Sequence, residues 1–302
     1  MPAKKINLLA AVFALGILLA GVLCFLALRP LPPAPKIPLP IPNGHDDFVR
    51  AGKLVSEATS DYHSMSEAEL RKFVSENSEA LKLVRAGLAK ECRVPIEFST
   101  NYFENHMPAL ASTRRLPFAM AAEGRLAELE NRSGDAAQSY LETIRFSSES
   151  VRGGFLIDKL VGLAIEPIGL TPLEKLTTRL DANQCRKALA DLERLQPGQE
   201  SLQEVLENED ALARHAGFMQ KIASMLAYKS FSPGKVLQRT YIPKLNALER
   251  RRGLLMINLA GRAYELENGK PASSLADLSP SYLKTIPQDP DTGTNFVSLP
   301  RQ

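Results

Sequence analysis

A chain of 302 residues has room for one large domain or two small ones, and a 44% hydrophobic content is enough for a sizeable core. Tryptophan is absent and aromatics make up 6%, so that core must come mainly from Leu, Ala, Ile and Val, which suits packed helices better than a β-sandwich. The formal charge of +3 sits at the N-terminus: residues 1–42 hold Lys4, Lys5, Arg29 and Lys36 and no acid, leaving 33 basic against 34 acidic residues beyond. That balance excludes the basic footprint of a nucleic-acid-binding domain.

From Leu8 to Leu28 the chain runs 21 residues without a charge. A helix of that length, at about 1.5 Å per residue, matches a hydrocarbon core of about 30 Å. Lys4 and Lys5 precede it and Arg29 follows, so the positive-inside rule puts the short N-terminus in the cytoplasm. The run is longer than the apolar core of a cleaved signal peptide, and its exit offers no Ala-x-Ala site. Leu23 before Cys24 argues against a lipoprotein. The reading is a signal-anchor, with the lipid bilayer as its partner through Leu8 to Leu28. Residues 29–42, half of them proline, then form a semi-rigid polyproline II stalk; outside the cytoplasm this is a spacer rather than an SH3 ligand.

Helical patterns fill the rest. Asn43-Gly44 reads as a turn before a helix opened by Asp46-Asp47. Ser66-Glu67-Ala68-Glu69 is a capping box, followed by helical spacing of Leu70, Phe73, Val74, Leu81, Val84 and Leu88. Pro95 makes residues 92–98 a crossing segment or a short edge strand. The helical pattern resumes through Leu110, Leu116, Met120, Leu126 and Leu129, and Arg132-Ser133-Gly134-Asp135 reads as a turn. Residues 153–169, apolar except for Asp158, Lys159 and Glu166, belong in the centre of a bundle. Thr171-Pro172 suggests the cap of a further helix through 195. Another spans 199–228, and a last one spans about 241–267, ending at Asn268-Gly269 as a left-handed cap.

Two stretches resemble known families. Gly124, Ala136 and Tyr140 match the small, small and aromatic positions of a single tetratricopeptide repeat, which implies an antiparallel helix pair with a small-residue contact and a possible peptide groove. Tyr264, Asn268, Gly269, Pro271, Leu275, Leu278, Tyr282, Leu283, Ile286, Pro287, Asp289, Pro290 and Gly293 are similar to a tail found on many membrane-anchored bacterial proteins and on the major pseudopilins of type II secretion. The prepilin-peptidase site is missing at Lys4-Lys5-Ile6-Asn7-Leu8-Leu9, so only the tail's fold carries over. The resemblance implies possible calcium binding through loop carboxylates. Asp289 and Asp291 alone fall short of the six to eight oxygens calcium takes and read as turn chemistry.

The expected architecture is all-α: a transmembrane anchor in 1–28, a linker in 29–43, an extracytoplasmic helical domain in 44–240, and a C-terminal helix with an irregular clasp in 241–302. His45, His63, His106 and His215 have no metal-ligand spacing, and there is no nucleophile elbow, P-loop or Cys-x-x-Cys. Glu104-Asn105-His106 reads as exposed helix residues, Arg114-Arg115 and Arg250-Arg251-Arg252 as solvated faces, and Arg152-Gly153-Gly154 as a turn rather than an anion site. Cys92 and Cys185 read as buried thiols, with a disulfide as the alternative. Asp158 stands out, because a carboxylate on an apolar helix is costly unless paired, and its partner should come from another helix. The functional reading is a non-catalytic scaffold or binding protein of the bacterial cytoplasmic membrane, with no catalytic, cofactor or metal residue and an unidentified envelope protein as partner. The alternatives are a secretion- or pilus-associated component and a hydrolase without a linear motif.

Overall fold

The computed structural model describes residues 35–56, 61–99, 101–195, 202–215 and 233–296, together with Gly16, Leu18 and Gly21. Among these there are helices and no strands, so the chain is all-α. Residues 36–302 form one compact unit, separate from 1–35. No described helix is long and apolar enough to cross a membrane. The anchor assigned to Leu8–Leu28 lies outside the described residues, apart from the helical Gly16, Leu18 and Gly21.

Helix α1 spans Gly44–Leu54 and is capped by Asn43, whose side chain accepts from His45 N, so the expected turn is a helix cap. Helix α2, Glu67–Glu76, carries both halves of the Ser66/Glu69 capping box. The single helix expected through Leu88 is in fact two. Buried Asn77 turns its amide back on Phe73 O at 2.8 Å and accepts from Ser56 N at 2.9 Å, ending α2 before α3, Ser78–Leu88. Residues 92–98 cross without forming a strand, held by Val94 N on Arg152 O at 2.7 Å.

The next pattern also divides, into α4 (Tyr102–Thr113) and α5 (Leu116–Leu129). The following turn is centred on Asn131, at φ 58°, rather than on Arg132–Asp135, and α6 spans Ser133–Glu149. The tetratricopeptide-like pair α5/α6 does make its small-residue contact: a Cβ on Gly124 would lie 2.5 Å from the Tyr140 ring. Helix α7, Leu156–Leu176, runs straight through Pro167 and Pro172, where a new helix was expected. Each proline forfeits an amide hydrogen bond. Packing on α6 outweighs the loss, because Gly162 and Gly169 share one face and let the Ser147 and Tyr140 carbonyls come close.

Helix α8 is Ala182–Leu195 and α9 is Leu202–His215. A helical turn, Pro233–Val236, and a π-helical turn, Leu237–Tyr241, lead into α10, Ile242–Asn268, which ends at Gly269 with φ 69° as the Asn-Gly pair predicts. In this bundle α6 is central, touching α3, α5, α7 and α8, while α10 packs on α7 and α8. The tail folds back into the same core: Leu275, Leu278 and Leu283 are buried, and Pro287 and Phe296 close over Gly253 of α10. Arg186 of α8 forms a bidentate pair with Glu267, whose carboxylate also accepts from Tyr282 at 2.7 Å.

Candidate functional site

The side chains of α7 divide between two sites. Asp158 and Lys159 follow one another on a helix and so point about 100° apart. Asp158 is fully buried. Its Oδ1 meets His106 Nε2 of α4 at 2.6 Å, and its Oδ2 accepts from Phe155 N at 2.9 Å. The partner expected from another helix is therefore His106, and His106 is a buried residue rather than an exposed one. The cause is the register of α4: Tyr102, His106 and Leu110, four residues apart, share its inner face. Glu104 and Asn105 are exposed as expected.

Tyr102 stacks on His106, with centroids 4.9 Å apart and planes at 17°, and Phe155 packs edge-on against Tyr102. His45, at the start of α1, lies close enough to feel both His106 and Asp158. Burial pushes its pKa down to about 4, aided by the His106 ring and opposed by Asp158 and Asp46. Among the described residues, His45 Nδ1 and the Tyr102 hydroxyl are buried without hydrogen-bond partners. Burial also raises the Tyr102 hydroxyl, and Asp158 adds to that effect. His215 bonds Ala211 O at 2.7 Å and packs on Phe98, which in turn packs on Phe155, and His63 is exposed.

An imidazole held by a carboxylate is two parts of an acid–base chain. His106 makes its one side-chain hydrogen bond to Asp158, so among the described residues no Ser, Thr or Cys hydroxyl or thiol completes a nucleophilic set. No group of three His, Cys, Asp or Glu residues among the described residues is arranged to hold a metal. The N-terminus of α7 is already filled by the chain's own acids: besides Asp158, Glu209 of α9 accepts Leu156 N at 2.8 Å. Arg152 pairs with Glu149, which agrees with Arg152-Gly153-Gly154 being a turn.

The second site is a cavity of about 580 Å³ walled by α6, α7, α8, α9 and α10 and the end of α3. Lys159, Gly162, Leu163 and Glu166 of α7 face it. Its carboxylates are matched one for one by arginines: Glu142 with Arg85 at 2.9 Å, Glu149 with Arg152 at 2.7 Å, Asp191 with Arg194 at 2.8 Å, and Glu166 with Arg252 at 2.9 Å. Lys159, itself buried, donates to Val151 O at 2.7 Å. Burial raises the Glu166 carboxyl despite Arg252 nearby. Glu166 Oε1 and Arg252 Nε lie within ion-pair distance but are not aligned as a hydrogen bond, so both buried atoms lack one.

The Arg250–Arg252 run is thus not a solvated face. Successive residues on α10 point to three different partners: Arg250 to Asp289 and Asp291, Arg251 to Glu174, and Arg252 to Glu166. In the tail the carboxylates of Asp289 and Asp291 are taken up by Arg250 and by backbone N–H groups. Cys92 and Cys185 are both free and buried, and burial pushes their thiols up to about 12 and about 11. One signal for the cavity was present in the sequence, since Lys159 and Glu166 sit seven residues apart on an apolar helix. Nothing marked Arg252 or His45. No family model, curated protein or solved structure matches the chain.

Proposed function

We propose that this protein is a membrane-anchored, extracytoplasmic binding module and not an enzyme, with the cavity against α7 as its binding site. The observation that carries the reading is the separation of the two sites. The His106–Asp158 pair is buried beneath Tyr102 and Phe155, and neither residue lines the cavity. The cavity holds ion pairs and apolar wall, in the size range that takes a small ligand. A general base needs to reach its substrate, and the lining of the cavity includes neither His106 nor Asp158.

The anchor part of the reading is supported by the uncharged Leu8–Leu28 run and the lysines before it. A reporter active only outside the cytoplasm, fused after Gln302, should work, and the full-length chain should stay with the membrane. Release of a shortened soluble form would refute the anchor. For binding, native mass spectrometry of the full chain released from its membrane should show a retained small ligand. Turnover lost on His106→Gln in any hydrolase screen would refute the non-enzymatic reading.

A further inference from the structure

The cavity's lining has a charge excess with a definite location. Among the described residues, six lysine and arginine side chains line it against four carboxylates. Each of the four acids already has an arginine, as set out above. Arg145 of α6 belongs to none of those pairs; its guanidinium donates to the carbonyl of Leu88, a neutral acceptor, and among the described residues no carboxylate lies within ion-pair distance of it. It is also solvent-exposed.

Among the described residues, Arg252 Nε is a buried donor without a hydrogen bond, and Glu166 Oε1, 2.9 Å from it, is a buried acceptor without one. Leaving such atoms unsatisfied costs free energy unless something fills the space beside them. The lining also has an apolar part, with Leu163 of α7, Val205 of α9 and Leu245 of α10. Tyr241, delivered by the π-helical turn, joins them; such turns recur at functional sites.

We propose that the cavity binds a monoanionic amphiphile: a carboxylate head on an apolar body, with the head drawn to Arg145 and Arg252 and the body lying on Leu163, Val205 and Leu245. This rests on the binding-module reading and names its ligand class. A cation is disfavoured by the arginines, and a dianion by the acids interleaved with them. The volume of about 580 Å³ suits a body of drug or fatty-acid size rather than a bare carboxylate.

The test uses the full chain in discs of zwitterionic lipid, with empty discs as blanks. Octanoate, octanol and octylammonium are titrated calorimetrically. Octanoate should give saturable binding, at least about tenfold tighter than octanol, because an arginine–carboxylate bond is charge-assisted. Octylammonium should give none. Arg145→Glu, at an exposed position, should abolish the preference for octanoate in a protein that still melts cooperatively. Arg252→Gln should weaken octanoate binding if the variant remains folded. Octanol or octylammonium binding as tightly as octanoate, or an Arg145→Glu protein that binds octanoate unchanged, would overturn the anionic ligand while leaving the cavity a binding site. No saturable heat from any of the three probes would remove the binding-module reading as well.

Discussion

Asp158→Ala tests the packing of α4 against α7, because one buried carboxylate joins the two helices. Its Oδ1 holds His106 of α4, and its Oδ2 holds the amide of Phe155 at the start of α7. Alanine leaves two buried polar partners unsatisfied, each costing about 1–3 kcal/mol. Breaking one side of a buried pair costs about 3–5 kcal/mol in total. Asp158→Asn should cost less, about 1–2 kcal/mol, because its carbonyl still accepts the Phe155 amide and its NH₂ donates to the other His106 tautomer. The assay is urea unfolding of residues 36–302, extrapolated to water. A cycle with His106→Ala should give a coupling energy above about 1 kcal/mol. An alanine variant within about 1 kcal/mol of the parent, or an asparagine variant as damaged as the alanine one, would refute the reasoning.

His45 should make stability depend on pH. Its folded pKa of about 4 lies below the ordinary 6.5, so the unfolded chain takes up a proton before the folded one does. Its contribution, about 3 kcal/mol, is present above pH 6.5 and is lost as pH falls towards 4. The urea midpoint of the parent should fall more steeply through that window than that of His45→Gln, and parallel curves would contradict the assignment. Truncation after Gly269 removes the burial of Leu275, Leu278 and Leu283, each contributing about 1.5–3 kcal/mol, so the shortened chain should melt much lower and aggregate. Asp289→Ala with Asp291→Ala should change the melting temperature little, and calcium should not raise it; a calcium-dependent rise abolished by that double variant would show a metal site instead. Gly124→Leu should destabilise by several kcal/mol through overlap with the Tyr140 ring, read by thermal melting, whereas Gly261→Leu, in open space, should not.

What the sequence determined by itself was local. The all-α class, the Ser66/Glu69 box, the Gly269 cap and the buried character of 153–169 rest on composition and on spacing within a few turns, which are written in the chain; the contact of Gly124 with Tyr140 came from the resemblance to a tetratricopeptide repeat. Even so, Asn77 and Pro172 were misread, one ending a helix that looked continuous and the other continuing a helix that looked finished. In both places tertiary contacts outweighed local preference: the Ser56–Asn77 bonds in the first, and the fit of α7 against α6 in the second. Both candidate sites belong to the tertiary structure. His106 and Asp158 are 52 residues apart, and Glu166 and Arg252 lie on helices far apart in the chain; no linear motif joins either pair. An arginine run looks solvated in one dimension because charge runs usually are. On α10 each residue turns about 100° from the last, so only the packed neighbours decided that Arg252 points inward to Glu166 while Arg250 holds the tail.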